Sequence, residues 1–196
     1  MRTLLLTGPS ASGKDWVAER LTKANPQLNN ISIDDLFDYI KAQDFADSAF
    51  QSSGHKCIRL NYHTVDFSTR FAEALSMRAF DPSRDTLVQG YQLTVPVVRE
   101  PLFNVIGLDP KASLMLGIYP SPRTLLNNRR DSEKTYHQER ANIQHCTELV
   151  TWHETTFDKN LPPFRFRKCT SSDEALEQAI RFFATPPNRD LNQARQ

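Results

Sequence analysis

The chain has 196 residues, of which 39% are hydrophobic and 10% aromatic, and its formal net charge is +1 at pH 7. This length and composition predict one folded domain with a sizeable core. A net charge so close to zero excludes a global electrostatic case for nucleic-acid binding, so local basic clusters would have to carry it. We find no signal peptide and no apolar run near 18 residues, which predicts no transmembrane span.

The cysteines favour a reducing compartment. Cys57, Cys146 and Cys169 lie far apart and are odd in number, so they form neither a zinc pattern nor a disulfide framework. We therefore expect a cytoplasmic protein.

The most informative stretch follows the first apolar run. Residues 2–7 predict a buried strand, and residues 14–24 predict a helix. Between them, Gly8-Pro9-Ser10-Ala11-Ser12-Gly13-Lys14 completes the pattern G-x-x-x-x-G-K of a phosphate-binding loop, although a chance Gly-Lys loop would read the same. Asp15 stands where Ser or Thr is usual.

The chemistry of a bound triphosphate explains this spacing. The two glycines let the loop curl, so that its N–H groups point at a phosphate together with the positive end of the helix dipole. Lys14 can reach the β- and γ-phosphates, and Asp15 is a candidate ligand of Mg²⁺. ATP and Mg²⁺ are therefore the predicted cofactors. The predicted nucleotide-binding residues are Gly8, Ser10, Ala11, Ser12, Gly13, Lys14 and Asp15.

An acidic pair follows the second predicted strand, residues 30–33. Asp34 and Asp35 stand at its carboxyl end, before a helix predicted over residues 36–50, and ligands of open α/β sheets bind at that edge. We predict that Asp34 orients or deprotonates an attacking hydroxyl and that Asp35 contacts the acceptor. The alternative is that one of the two only caps the helix.

Residues 8–39, GPSASGKDWVAERLTKANPQLNNISIDDLFDY, resemble the start of phage polynucleotide kinases and of the wider zeta-toxin-like group of P-loop kinases. The resemblance implies an α/β fold, a P-loop kinase-like three-layer α/β/α sandwich with a five-stranded parallel sheet in the order 2-3-1-4-5, and it makes Asp34 the base. Those polynucleotide kinases carry an Arg where this chain has Phe37. The Gly-Lys-Asp variant looks like phage deoxynucleoside monophosphate kinases and animal phosphomevalonate kinases. It is also compatible with phage kinases of hydroxymethyl-uracil in DNA.

The middle of the chain covers the acceptor in such kinases. Residues 51–54 predict a loop and residues 66–79 a helix. Arg70 is the favoured acceptor contact here, against the alternative of a solvated charge. The other candidates are Arg59, His63 and Arg78.

The third strand is predicted over residues 86–90. Related kinases often end this strand in an acid next to the Gly, but here the residue is Gln89. We infer that Asp15 supplies the missing carboxylate and that Gln89 and Tyr91 face the substrate. Three prolines in residues 92–110 predict a long binding loop that includes Arg99, with at most a short helix.

A lid is predicted after the fourth strand, residues 113–119. Ser121 caps a helix that starts at Pro122 and ends in arginines. This pattern is typical of the lid of P-loop kinases, here residues 127–140, in which Arg129 or Arg130 would stabilise the transferring phosphoryl group. The alternative is a solvated helix end. Arg123, Lys134 and Arg140 are further candidates.

The remaining chain predicts a helix over residues 133–156, a fifth strand at 164–167 and a last helix opened by Ser171 and Glu174. The eight-residue spacing of three histidines in the first of these does not fit a metal site. One domain is expected over residues 1–184, followed by a flexible tail over 185–196.

The favoured function is an ATP- and Mg²⁺-dependent kinase that phosphorylates a hydroxyl of a nucleotide or nucleic acid, for example a hydroxymethyl-pyrimidine in phage DNA. Two alternatives stay open. One is a kinase of small metabolites or nucleoside monophosphates, and the other is a nucleotide-binding regulator or NTPase without an acceptor.

Overall fold

Parallel strands form the central sheet of the protein. The computed structural model describes residues 1–43, 50–52, 58–60, 66–159 and 165–185. The strands in these residues are β1 (Thr3–Thr7), β2 (Asn29–Ser32), β3 (Phe50–Ser52), β4 (Ile58–Leu60), β5 (Thr86–Gln89), β6 (Ser113–Ile118) and β7 (Arg165–Cys169). The helices are α1 (Lys14–Ala24), α2 (Ile33–Gln43), α3 (Phe67–Ser76), α4 (Pro96–Ile106), α5 (Pro122–Arg130), α6 (Thr135–Glu139), α7 (Ile143–Lys159) and α8 (Ser172–Ala184), with 3₁₀ turns at Tyr91–Thr94 and Pro110–Ala112.

The sheet has five strands in the order β2-β5-β1-β6-β7, all parallel. Numbered along the chain within the sheet, this is the order 2-3-1-4-5, which confirms the prediction. Strands β3 and β4 pair antiparallel with each other in a separate two-stranded sheet. The predicted loop over 51–54 was therefore wrong for residues 51 and 52, because the short partner strand gives their backbone groups a ladder that local propensity does not reveal.

The central strand β1 is buried on both faces and separates two cores. Leu5 belongs to a cluster with apolar side chains of α2, α3 and α4. Leu4 and Leu6 belong to a second cluster with side chains of α1 and α8. Since successive strand residues point to opposite faces, one continuous apolar run supplies both cores. The result is the predicted three-layer sandwich.

Helix α4 replaces most of the predicted loop over residues 92–110. Pro96 occupies its first turn, where a missing N–H costs nothing, and Gly107 ends it in the left-handed conformation at φ 64°. Val98, Leu102 and Ile106 are buried at helical spacing, and this burial keeps the segment helical although Pro101 lies inside it. Pro96 and Pro101 thus mark the start of a helix and a position within it, and Pro110 begins the 3₁₀ turn that follows.

The predicted single helix over residues 133–156 is two helices, α6 and α7. The chain leaves the helix at Arg140, and the Asn142 side-chain oxygen accepts from the backbone N–H of His145 at 2.8 Å. Asn142 thus caps a new helix.

Other predicted boundaries shift by a few residues. Helix α2 begins at Ile33 and not at residue 36, so the acidic pair lies in its first turn, and Phe50, predicted as helical, is the first residue of β3. Residues 44–49, His63 and the tail beyond 185 lie outside the described residues. The caps of α5 and α8 are as predicted, with Ser121 and Ser171 accepting from backbone N–H groups at 3.1 Å. Among the described helices, none is long and apolar enough to cross a bilayer.

Candidate active site

The phosphate-binding loop (residues 8–14) connects β1 to α1 at the carboxyl edge of the sheet. Gly8 has φ 135°, and a Cβ there would lie 2.3 Å from the carbonyl oxygen of Ile118. Gly13 has φ 96°, and its Cβ would lie 2.8 Å from the Cβ of Ser172. The loop therefore lies tightly between the end of β6 and the start of α8, and only glycine fits at these two positions.

Lys14 folds back over this loop. Its ammonium donates to the carbonyl oxygens of Gly8 and Pro9, both at 2.9 Å. Burial lowers the pKa of Lys14 from 10.5 to about 8, although the carboxylates of Asp15 and Asp34 oppose the shift. An anion that binds next to this desolvated ammonium stabilises its charge, which is what a phosphate site requires.

Asp34 and Asp35 occupy the first turn of α2 and have different partners. The side-chain amide of Gln92 donates to Asp34 Oδ1 at 2.6 Å, and the Asp34 charge acts on Lys14. Asp35 pairs instead with Arg78, at 3.6 Å between carboxylate oxygen and guanidinium nitrogen. Arg78 also donates to the Asp35 carbonyl oxygen at 2.9 Å. The geometry thus brings Asp34, and not Asp35, into the surroundings of the loop lysine.

The other predicted acceptor residues are placed as follows. Gln89 lies at the end of β5, aligned with Leu6 and Ser32 of the neighbouring strands, and its Oε1 is buried without a hydrogen-bond partner in the described residues. Tyr91 begins the next turn, with its ring edge-on to His153 at 6.1 Å. Arg70 lies on α3 and pairs with Glu73 of its own helix at 3.1 Å.

The segment predicted as a lid lies against the phosphate-binding loop. Ser10 Oγ is 2.7 Å from His137 Nε2, and the other ring nitrogen is 2.8 Å from Ser132 Oγ. Asp15 and Lys134 form an exposed ion pair at 3.5 Å. In addition, the Asn128 amide donates to the Ala11 carbonyl oxygen at 3.0 Å. Side chains of residues 128–137 therefore contact the loop at two points and the first turn of α1 at a third.

His137 is a buried, neutral member of these contacts. Burial lowers its pKa to about 4, and the cations Arg129, Lys134 and Lys14 act in the same direction. A neutral imidazole donates from one ring nitrogen and accepts at the other, which suits a hydroxyl on each side. His153 on α7 is also buried, and burial together with Lys14 lowers its pKa to about 3.

The two neighbouring arginines at the end of α5 differ in exposure. Arg130 is exposed, whereas only 3% of Arg129 is exposed. Arg129 donates to the Arg140 carbonyl oxygen at 3.5 Å, and no carboxylate in the described part of the chain pairs with it. Burial lowers its pKa. Arg129 thus keeps an uncompensated charge close enough to act on His137.

A second buried arginine lies on α4. Arg99 is 5% exposed on α4, where its guanidinium lies 3.4 Å from the Leu93 carbonyl oxygen, and burial lowers its pKa. It was expected in an open loop, and the helix buries it.

A magnesium site would draw on few protein ligands. The described residues contain no group of three or more His, Cys, Asp or Glu arranged to hold a metal ion. Asp15 and Gln89 offer hard oxygen atoms beside the loop, and the Gln89 oxygen is buried and unsatisfied there. This donor set fits Mg²⁺, which keeps several waters and binds through one or two side chains plus phosphate oxygens.

Sequence reasoning missed four residues that contact or border the site: Gln92, Ser132, His137 and His153. Gln92 fell in a predicted loop, and the histidines were judged only by metal-ligand spacing. The sequence signal for Gln92 was its position, directly after the Gly90-Tyr91 pair that follows the third strand of the sheet.

No protein-family model matches the chain, and no curated protein sequence matches it. Solved structures do. A shikimate kinase from Acinetobacter baumannii in complex with shikimate matches with a TM-score of 0.51 and 15% identity, over 94% of this chain and 93% of that chain. A gluconokinase from Sinorhizobium meliloti 1021 matches with 0.51 and 15%, over 93% and 91%.

A sugar kinase from Janibacter sp. HTCC2649 gives a TM-score of 0.56 and 16% identity, over 95% of this chain and 96% of that one. Such identities establish a common fold and leave the chemistry to the site. The strand order, the loop after β1 and these matches together show that the chain has the α/β fold of the P-loop kinases.

Proposed function

We propose that the protein is an ATP- and Mg²⁺-dependent kinase that transfers the γ-phosphoryl group to a hydroxyl of a small metabolite. The observation that carries the proposal is that Lys14, desolvated over the phosphate-binding loop, feels the charge of Asp34, which follows β2 at the same edge of the sheet. The names of the three matched kinases support a small-molecule acceptor.

In this mechanism Asp34 orients the acceptor hydroxyl and takes its proton. The hydroxyl oxygen forms a bond to the γ-phosphorus while the bond from that phosphorus to the β,γ-bridging oxygen breaks, and ADP leaves with the electron pair. Lys14, the loop N–H groups and Arg129 hold the phosphate oxygens as charge shifts towards ADP. Asp34 then releases the proton to solvent.

Asp15 and Gln89 would hold Mg²⁺, directly or through water. When bound, the ion neutralises phosphate charge. In that state Asp15 has to exchange its ion pair with Lys134 for the metal or its water. This links nucleotide binding to the contacts of residues 128–137.

A nucleic-acid acceptor is the second candidate. It rests on the resemblance of residues 8–39 to phage polynucleotide kinases, and neither the matched structures nor the net charge of +1 supports it. The third candidate is an NTPase without an acceptor, supported by Asp15 and Gln89 at positions where related kinases differ. The Gln92–Asp34 contact argues against it, since plain nucleotide binding does not require an oriented carboxylate.

The test is label transfer from γ-labelled ATP with Mg²⁺ to a panel of acceptors. The panel contains hydroxylated acids, sugars, cyclitols, nucleosides, nucleoside monophosphates, 5′-hydroxyl DNA and RNA, and DNA with hydroxymethyl-uracil. Label on a small non-nucleotide metabolite supports the proposal. Label only on a polynucleotide selects the second candidate, and release of free phosphate with no labelled acceptor selects the third.

A matched pair of variants tests the base. We expect Asp34→Asn to reduce kcat at least 100-fold while ATP binding remains, since general-base catalysis contributes about 10²–10⁴-fold. Asp35→Asn removes the same charge one residue away, where the side chain pairs with Arg78, and we expect it to retain most activity. The reverse ranking would show that the base is misassigned.

A further inference from the structure

Gln92 is an unusual residue to find buried beside the candidate base. It lies in the Tyr91–Thr94 turn between β5 and α4, and it is 1% exposed. Its Nε2 donates to Asp34 Oδ1 at 2.6 Å across 58 residues of sequence. Burying a primary amide costs free energy unless its groups are hydrogen-bonded, so the contact with the carboxylate has to offset that cost.

The amide is only half satisfied. Gln92 Oε1 is buried without a hydrogen-bond partner in the described residues. The bond to Asp34 is therefore the polar contact that stabilises this side chain in place. A charge-assisted bond at this distance is stronger than one between neutral groups.

Gly90 provides the space that the amide occupies. A Cβ at position 90 would lie 2.6 Å from Gln92 Oε1 and 2.9 Å from the Cβ of Ile33. Both distances are too short for a real Cβ. A side chain at residue 90 would therefore collide with the Gln92 amide in the position from which it bonds to Asp34.

We propose that Gln92 is a positioning residue that fixes the Asp34 carboxylate through Oδ1 and leaves Oδ2 for the acceptor hydroxyl, with Gly90 opening the space for it. The inference rests on the proposed kinase function, which makes Asp34 the base. Asp34 is exposed at the start of α2, so without a partner its carboxylate would sample several rotamers. Misplacement of a reacting group by about 1 Å can cost about 10²-fold in rate.

The contact itself is tested without any enzyme assay. The side-chain N–H₂ resonances of Gln92 are recorded by NMR in the wild type and in Asp34→Ala. We expect the proton bonded to the carboxylate to lose its downfield shift in the variant. Unchanged Gln92 resonances would overturn the proposal, whether or not the protein is a kinase.

The kinetic consequence is tested with Gln92→Met, which keeps the size and removes the donor. We expect kcat for the acceptor that the label assay identifies to fall about 10- to 100-fold, with the KM for ATP unchanged. Thr94→Val is the matched control, since it removes a buried hydrogen bond of the same turn, from Thr94 Oγ1 to the Tyr91 carbonyl oxygen at 2.7 Å, and leaves Asp34 untouched. An equal loss of kcat in Thr94→Val would mean that the turn, and not the amide, matters.

A double-mutant comparison separates action through Asp34 from a general effect. If Gln92 acts through Asp34, adding Gln92→Met to Asp34→Asn costs no further activity. Multiplicative losses would refute the proposal.

Gly90→Ala should reproduce the kcat loss of Gln92→Met, because it fills the space of the amide. If the wild type transfers no phosphoryl group but the NMR contact is present, the kinase function has failed and the Gln92–Asp34 contact stands.

Discussion

The lowered pKa of Lys14 has a direct consequence for nucleotide binding. Burial lowers its pKa to about 8, so the free protein loses the ammonium as the pH rises above that value. A bound triphosphate needs the charge. We therefore predict that the affinity for ATP falls between about pH 8 and pH 9.5, measured by calorimetry.

Lys14→Arg is the control for this prediction, because a guanidinium stays charged over the whole range. The affinity of Lys14→Arg for ATP, strong or weak, should stay constant between about pH 8 and pH 9.5. The linked effect on stability has the opposite sign. The unfolded chain keeps the proton between about pH 8 and 10.5 while the folded chain has lost it, so this group makes the free energy of unfolding rise with pH there. A wild-type affinity that is flat from pH 7 to about 9.5 would contradict the lowered pKa.

Arg129 and Arg130 offer a natural comparison of a buried and an exposed charge on the same helix end. We predict that Arg129→Gln loses most of the rise in Tm that ATP causes in the wild type, because the uncompensated guanidinium no longer meets an anion. Arg130→Gln should keep that rise. Thermal denaturation with and without ATP measures both.

The Tm measured without ATP distinguishes loss of an anion contact from loss of packing in Arg129→Gln. Removal of an unpaired buried charge relieves its desolvation, so Arg129→Gln should melt close to the wild type without ligand. A large drop in Tm with an unaltered response to ATP would assign Arg129 a purely structural role.

At the scale of elements, two glycines with positive φ allow the cost of backbone strain to be measured separately from the cost of a steric clash. Gly107 follows α4 at φ 64°, and a Cβ there would meet no atom within 4 Å in the described part of the chain, whereas Gly13 precedes α1 against Ser172. We predict that Gly107→Ala costs about 1–2 kcal/mol in the free energy of unfolding and leaves ATP affinity intact. Gly13→Ala should abolish ATP binding. Denaturant titration and calorimetry measure the two effects, and a normal ATP affinity in Gly13→Ala would be incompatible with the tight loop.

The elements that sequence could predict are those with local determinants. Ser121 and Ser171 are N-cap residues that predict the start of their helices. The pattern of residues 8–14 predicts a phosphate-binding loop without reference to the rest of the chain. Helix α4 was missed because its burial outweighs the local signal of Pro101. Gln92 and His137 were missed as site residues because their contacts join positions 58 and 127 residues apart, which no local pattern encodes.

At the scale of the whole molecule, both ends of the described chain meet at the edge of the sheet opposite the site. Arg2 precedes β1, and its guanidinium pairs with Asp85 ahead of β5. The same group donates to the carbonyl oxygens of Phe183 and Thr185 at 2.6 and 2.8 Å. A cation at the carboxyl end of α8 also suits the helix dipole. Arg2 thus ties the first strand, the neighbouring strand and the last helix together, away from the phosphate-binding loop.

This arrangement predicts that Arg2→Met lowers stability without touching function. The loss of charged hydrogen bonds should reduce the free energy of unfolding by about 1–3 kcal/mol at pH 7, with ATP affinity unchanged. Arg84→Met is the matched control, since Arg84 pairs at 3.0 Å with Asp81 in an exposed position and should cost below about 0.5 kcal/mol. Denaturant titrations give both values.

The pH dependence of the same pair provides the sharper test. Burial alone would raise the pKa of Asp85, but the hydrogen bonds and charge of Arg2 lower it overall. A carboxylate with a lowered pKa stabilises the fold above its unfolded value near 3.8 and loses that contribution as the pH falls through the folded value. The difference in stability between wild type and Arg2→Met should therefore narrow as the pH is lowered from 7 to about 3. A difference that stays constant down to that pH would mean that Arg2 acts through the α8 carbonyl oxygens and the Phe183 ring, whose centroid lies 5.5 Å from the guanidinium carbon, and not through Asp85.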